Sequence, residues 1–431
     1  MATKKNAARK KTAKTKSSSR KLYSFDTSEK LLARAVEVIP NGVYGHQSPA
    51  ITVPGSFPYY AVRASGCRYW DADGNEFIDF MCAYGPMVLG HNHAPVDKAA
   101  FEQRKQANCT NHPAPVMIEL AERLVGLVPF ADWAVFAKNG SDLTTWALQV
   151  AREQTQRNMV LCARGAYHGV HAWCTPGHGG LIADDRNSID YFNWNDLDEV
   201  ESLVKRHDGQ VAAIITTPFH HPAFGDAQDP KPGWWAGLRR LCDREGIVLV
   251  LDDVRAGFRL DLRGSHHYYD FEPDLSVYCK AIANGYGLSA CVGRKDLKAA
   301  ASRVFLTGSY WNSAVPMAAA LATIDELEKT GGIQHMLNMG RRLIEGLKIR
   351  AEQHGLQIRL TGPPSIPTMT FANERDYMRM QVFSAEASKR GVFFHPHHNW
   401  FLSVAHSEDD IDESLGIADE AFAVVKQQFG S

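Results

Sequence analysis

From about Gly85 onward the chain alternates two apolar patterns. Segments with apolar positions three or four residues apart, such as VMIELAERLVGLV at 116–128, predict amphipathic helices. Between them lie short unbroken apolar runs: NMVLCA (158–163), QVAAIIT (210–216), IVLVL (247–251) and LSVYC (275–279). Several of these runs end in polar residues. Continuous apolar strands separated by helices predict a mostly parallel sheet covered on both faces. The stretch AVFAKNGSDLTTWALQVAR (134–152) reads as a strand, a glycine turn and a helix. Earlier in the chain, SEKLLARAVEVI (28–39) predicts a helix, and YAVRASGCRYWDADGNEFIDF (60–80) predicts two short strands around an Asp-Gly-Asn turn.

After Trp311 come a long helix (AVPMAAALATIDELEK), further helices, and an α+β tail ending WFLSVAHSEDDIDESLGIADEAFAVVKQQF. The expected organisation is α/β with four parts. Residues 1–21 form a disordered basic tail, and 22–84 an N-terminal segment packing on the small domain. Residues 85–311 form the large domain, and 312–431 a smaller α+β C-terminal domain. At 431 residues the chain is long enough for this.

Composition adds exclusions. With 45% apolar and 22% charged residues and a net charge of −1, there is no electrostatic reason to expect nucleic acid as the main partner. No apolar run is long enough for a membrane span, and no signal-peptide core is seen. The eight cysteines are scattered, with no C-x-x-C pair, which points to a reducing cytoplasmic compartment. The first 21 residues differ from the rest, with nine Lys and Arg and no acid. That composition predicts a solvated tail.

In an open parallel sheet, ligands bind at the carboxyl ends of the strands. At those ends stand Gly140-Ser141, opening a helix whose N-terminus suits a phosphate, and Asp252, leaving IVLVL. Read alone, Ser-Asp is an ordinary helix cap, and Asp252-Asp253 could pair with Arg255 or Arg259. Lys280 lies 28 positions after Asp252, about one helix-and-strand unit on, so neighbouring strands could aim an acid and an amine at one cleft. Tyr167 adds an aromatic at the same rim. A phosphate site, a carboxylate, an aromatic plate and a desolvated lysine are what pyridoxal phosphate (PLP) needs.

At these residues the chain resembles the class III aminotransferases, fold type I PLP-dependent transferases, and within them the branch containing glutamate-1-semialdehyde aminomutase. The likeness runs from about Ser28 to Phe429. It is carried by YWDADGNEFIDF, YGPMVLGHNH, NGSDLTTWALQVAR, GAYHG, PKPGWWAGLRRLCDREGIVLVLDDVRAGFR, PDLSVYCKAIANG and FLSVAHSEDDID. The resemblance implies that Lys280 carries the cofactor as a Schiff base and that Asp252 meets the pyridine nitrogen. It further implies that Tyr167 stacks on the ring, Val254 packs its other face, and Gly140 and Ser141 receive the phosphate. Ser309 falls where the family has a threonine reaching the phosphate from the neighbouring subunit, so a homodimer with shared sites is implied. Tyr84 falls at an aromatic position lining the substrate side.

Departures from the aminomutase pattern bear on the substrate. No Arg occurs in PNGVYGHQSPA (40–50), Thr217-Pro218 stands where the family commonly has Glu-Pro, and HPHHNWFLS (395–403) replaces a stretch with a glutamate. The reading is therefore an aminotransferase with a small-molecule amino donor and an oxo acceptor, with an aminomutase as the alternative. His220, His221, His397 and His398 are candidates for the substrate pocket. The histidines have no completed ligand spacing, so no metal is expected. The aromatics Tyr84, Phe219, Tyr310, Trp311 and Trp400 suggest a bulky amine. A nucleotide-binding dehydrogenase lacks its G-x-G-x-x-G here.

Overall fold

The apolar runs become the strands of a seven-stranded sheet. In chain order its strands are β4 (Trp133–Ala137), β5 (Met159–Ala163), β6 (Ile189–Phe192), β7 (Val211–Thr216), β8 (Val248–Asp252), β9 (Leu275–Tyr278) and β10 (Ser289–Gly293). Their spatial order is β4-β10-β9-β8-β7-β5-β6. Within it β10 runs antiparallel to β4 and β9, while the β9-β8-β7-β5-β6 pairs are parallel. The computed structural model describes residues 21–45, 56–222, 225–374 and 376–430. The basic tail predicted over 1–21 therefore lies outside the described residues except for Lys21, as does the second half of PNGVYGHQSPA.

Every residue of β7, β8 and β9 is buried, because helices cover both faces. Val248 and Val250 pack with Leu143, Trp146, Ala147 and Val150 of the helix Gly140–Thr155. Leu249 and Leu251 point the other way, onto Val200, Leu203, Trp234 and Leu238 of the helices Leu197–Arg206 and Trp234–Glu245. This two-residue alternation decides which side Asp252 faces.

The residues on either side of this region share a second sheet. Here β1 (Ala61–Ser65), β2 (Arg68–Asp71) and β3 (Glu76–Asp79) form an antiparallel meander, and β3 pairs in parallel with β13 (Val392–Phe393). Residues 60–80 thus form three strands where two were predicted. The extra turn is at Gly66, whose φ of +57° reverses the chain between β1 and β2. The predicted 28–39 helix spans Asp26–Val36. A hairpin of β11 (Ile358–Thr361) and β12 (Thr368–Phe371) and the helices Gly332–Gln353, Met378–Ser388 and Glu408–Phe429 complete the C-terminal part. Among the described residues, no helix is long and apolar enough to cross a membrane.

Candidate active site

Asp252 is the last residue of β8 and shares the face of Val248 and Val250, so its carboxylate meets the start of the helix Gly140–Thr155. Asp253, one step on, is buried on the other side and accepts a hydrogen bond from the Ser265 amide at 2.8 Å. Burial pushes its carboxyl up to about 7. Two adjacent acids therefore serve different places.

A cavity of about 580 Å³ opens at these strand ends. Gly140, Ser141, Tyr167, Asp252, Val254 and Lys280 all line it. Lys280 comes after β9, one residue past its end with Cys279 between, and begins a short 3-10 turn, Lys280–Ala283. Its pairing is set by the sheet: Asp252 lies beside Val277, three residues before the lysine. The connection is a loop with one short helix, Ser265–Tyr268, rather than a full helix unit. Lys280 takes a φ of +47°, a left-handed conformation costing a non-glycine residue about 1–2 kcal/mol. Its amine is brought down to about 7, first by burial and then by the nearby Arg255 guanidinium.

Asp252 is held on both oxygens. Oδ2 accepts from His168 Nδ1 at 2.8 Å, a contact buried on both sides, and Oδ1 accepts from the Val254 amide at 3.2 Å. His168 is fixed in turn. Its carbonyl accepts from Thr144 Oγ1 at 2.8 Å, and its ring stacks on Trp173 at 6.1 Å between centroids. Trp173 donates to Thr145 Oγ1 at 2.8 Å. The sequence motif GAYHG contains His168, yet only the folded chain reveals this role.

The helix N-terminus forms a tight cradle. Asp142 Oδ2 accepts from the Asn139 amide at 2.8 Å, closing the first turn. A Cβ at Gly140 would come within 2.9 Å of Val254 Cγ2. One at Gly169, where φ is +129°, would come within 2.4 Å of Ser141 Oγ, which accepts from the Val170 amide at 3.2 Å. Glycine is needed at both points.

A second cavity of about 210 Å³ adjoins the first, sharing Tyr167, His221 and Arg255. His397, His398 and Asn399 also line it. His221, weighed beside His220 in the sequence, is the one of the two that reaches both cavities. Among the described residues, neither of its ring nitrogens has a hydrogen-bond partner. His220 is placed elsewhere: it is buried, stacks on Trp194 at 5.8 Å, and lines neither cavity. Burial takes its imidazole down to about 4. Tyr84 lines a third cavity with Tyr59 and His91 and touches His398 edge-on at 5.2 Å. Phe219 and Trp400 are core side chains and Tyr310 is exposed, so the aromatics behind the bulky-amine expectation do not line the two cavities. Ser309 lies on the exposed surface outside both. Among the described residues, no three His, Cys, Asp or Glu side chains converge as metal ligands would.

Comparison with known proteins follows the same lines. The family model of the class-III aminotransferases matches residues 52–416. The aminopentol aminotransferase of Sphingopyxis macrogoltabida is 43% identical, over 93% of this chain and 95% of that protein. The glutamate-1-semialdehyde 2,1-aminomutase of Syntrophobacter fumaroxidans is 31% identical, over 93% of this chain and 98% of that one. Among solved structures, the FumI protein of Sphingopyxis sp. MTA144, in its PLP internal aldimine form, superposes with a TM-score of 0.91. It is 43% identical and the match covers 94% of this chain and 97% of that one.

Proposed function

The chain belongs to the class-III aminotransferases, and from that premise we propose that Lys280 is the residue through which it moves an amino group from an amine to a 2-oxo acid or other carbonyl acceptor. The protein is a PLP-dependent aminotransferase. The cavity suits that cofactor: a depressed amine, a fixed carboxylate and a glycine-lined helix N-terminus face one space. Pyridoxal phosphate, when bound, supplies a carbonyl carbon that takes the amino nitrogen and a ring that withdraws electrons.

The chain's own residues do the rest. Lys280, whose amine burial brings down to about 7, would hold the cofactor, and its freed amine would carry a proton to and from the substrate's reacting carbon. Asp252, oriented by His168, would keep the proton on the ring nitrogen. Tyr167 would stack on one face of the ring and Val254 would pack on the other. The amides at Gly140 and Ser141 would receive the phosphate, aided by the helix dipole.

The active unit is a homodimer in which Ser309 of each subunit reaches the other's phosphate site. In support, Phe305 (85% exposed) and Tyr310 (68%) flank Ser309, where so much apolar surface calls for a covering partner. The donor is an uncharged polar amine. Histidines and Asn399 offer neutral hydrogen-bonding groups in the second cavity, and the relative at 43% identity is named for an aminopentol. All eight cysteines are free thiols, which fits a cytoplasmic setting.

The observation carrying this reading is the convergence of Lys280 and Asp252 on one cavity at the strand ends. Loaded with PLP, the purified protein given an amine should convert its cofactor to the pyridoxamine form. A Lys280→Ala variant turning over at the parent rate would sink the assignment. Turnover that needs no separate acceptor would point to an aminomutase instead.

A further inference from the structure

Arg255 stands where the two cavities meet. It follows Val254 in the loop leaving β8, so the strand that delivers Asp252 also delivers a guanidinium to the same space. Its Nη1 donates to Asn399 Oδ1. An amide oxygen orients the guanidinium without neutralising it. Asp252 is close enough to act on its charge, but among the described residues no carboxylate lies within ion-pair distance of it. The site thus keeps a positive charge with no paired anion, an arrangement that costs energy unless a ligand supplies one. Beside it His221 lies buried, with neither ring nitrogen bonded among the described residues. Two polar side chains therefore face one spot with hydrogen-bonding capacity unused.

The position selects the kind of anion. Arg255 and Lys280 line the same cavity, and the guanidinium lies near enough to help lower the amine. An anion held there belongs next to the reacting carbon. Further along the second cavity the described lining is histidine, proline, glycine, alanine, Thr368 and Asn399, with no other Lys or Arg. A remote acid would find nothing to pair with.

We propose that Arg255, held by Asn399 and backed by His221, binds the carboxylate directly attached to the reacting carbon of a 2-oxo acid acceptor. This rests on the aminotransferase reading above and adds the class of acceptor. When an uncharged amine occupies the site, Asn399 retains the guanidinium, so one cavity serves both half-reactions. A planar guanidinium matches a carboxylate in two parallel hydrogen bonds, which a lysine or glutamine cannot reproduce.

The test uses the holoenzyme converted to its pyridoxamine form, reacted with pyruvate or with acetaldehyde, which lacks the carboxylate. In Arg255→Gln the preference for pyruvate, as the ratio of the two kcat/KM values, should fall on the order of 100-fold. Asn399→Asp leaves Arg255 in place but gives it a competing carboxylate, and should lower the same ratio. It guards against misfolding of the first variant. Propanoate, titrated into the unreacted holoenzyme and followed by cofactor absorbance, should bind more weakly to both variants. An unchanged ratio in both variants would overturn the proposal. An equal loss on both acceptors with a displaced cofactor absorption band would overturn it too, assigning Arg255 to the cofactor. A loss of amine-driven cofactor conversion in the parent enzyme would strike the aminotransferase reading instead, so the two failures are separable.

Discussion

His168 Nδ1 lies 2.8 Å from Asp252 Oδ2, although 84 positions separate them in sequence. With the Val254 amide on its other oxygen, the carboxylate is fixed in direction before any ligand arrives. A carboxylate that must keep a proton on a ring nitrogen works best when it cannot rotate away. His168→Ala should raise the cofactor dissociation constant roughly 10-fold or more and shift the pH dependence of the cofactor's visible band. Asn at 168, which retains a donor, should recover part of both. An unaltered band in the Ala variant would leave His168 with only a packing role.

The pH response of cofactor loading follows from Lys280. Only the neutral amine attacks a carbonyl, and burial with the Arg255 charge brings this amine to about 7. Apoenzyme mixed with PLP should load about tenfold faster per pH unit below that point and level off above it. Removing the cation in Arg255→Gln should move the bend to higher pH. A bend near the ordinary lysine value would contradict the burial argument.

The cradle can be tested at Gly169. A methyl there meets Ser141 Oγ and forces a side chain into a conformation that favours glycine. Gly169→Ala should weaken PLP retention by about 10-fold, as roughly 1–2 kcal/mol of backbone strain implies. The circular dichroism spectrum should stay native, so that a lost fold is not mistaken for a lost cradle.

Arg259 makes a different prediction from its neighbour in sequence. It is fully buried, donates to the Gly85 carbonyl at 2.6 Å and to the Leu402 carbonyl, and sits over the Phe401 ring at 5.0 Å. It joins three separate segments. Arg259→Met should cost about 3 kcal/mol, measured by denaturant unfolding, because two buried carbonyls lose their donor.

Subunit exchange tests the shared site. Lys280→Ala and Ser309→Trp homodimers should each be weakly active. After mixing, heterodimers would hold one site with both residues intact, and activity should reappear. Mixtures that stay inactive, or a protein that sediments as a monomer, would refute the sharing.

How much of this was legible depends on the kind of signal. Asp252 and Lys280 stand out because each ends an apolar run, and a charge there has few other reasons to exist. The alternation along IVLVLDD even separates the two acids once the helix-bearing face is known. His168 was hidden because its partner is distant in the chain. Arg255 was weighed only as an ion-pair partner for the acids, and no such pair forms. His220 and His221 follow β7 after its last residue, Thr216, so alternation no longer tells which one faces inward. The three-strand meander was read as two because Gly66 turns the chain within an otherwise strand-like stretch.

The adjacent acids at the end of β8 have a consequence for how this chain can change. Asp252 and Asp253 have the same chemistry but opposite surroundings, one open to the cavity and one sealed against Ser265. Slipping β8 by a single residue would leave an aspartate at only one of the two places, and it would also turn Val250 and Leu251 onto each other's helices. The doubled acid therefore gives no insurance against insertion or deletion in this strand. Length here is under tighter constraint than residue identity, and engineered variants that alter the donor or acceptor are better sought in the loops around His221 and Asn399.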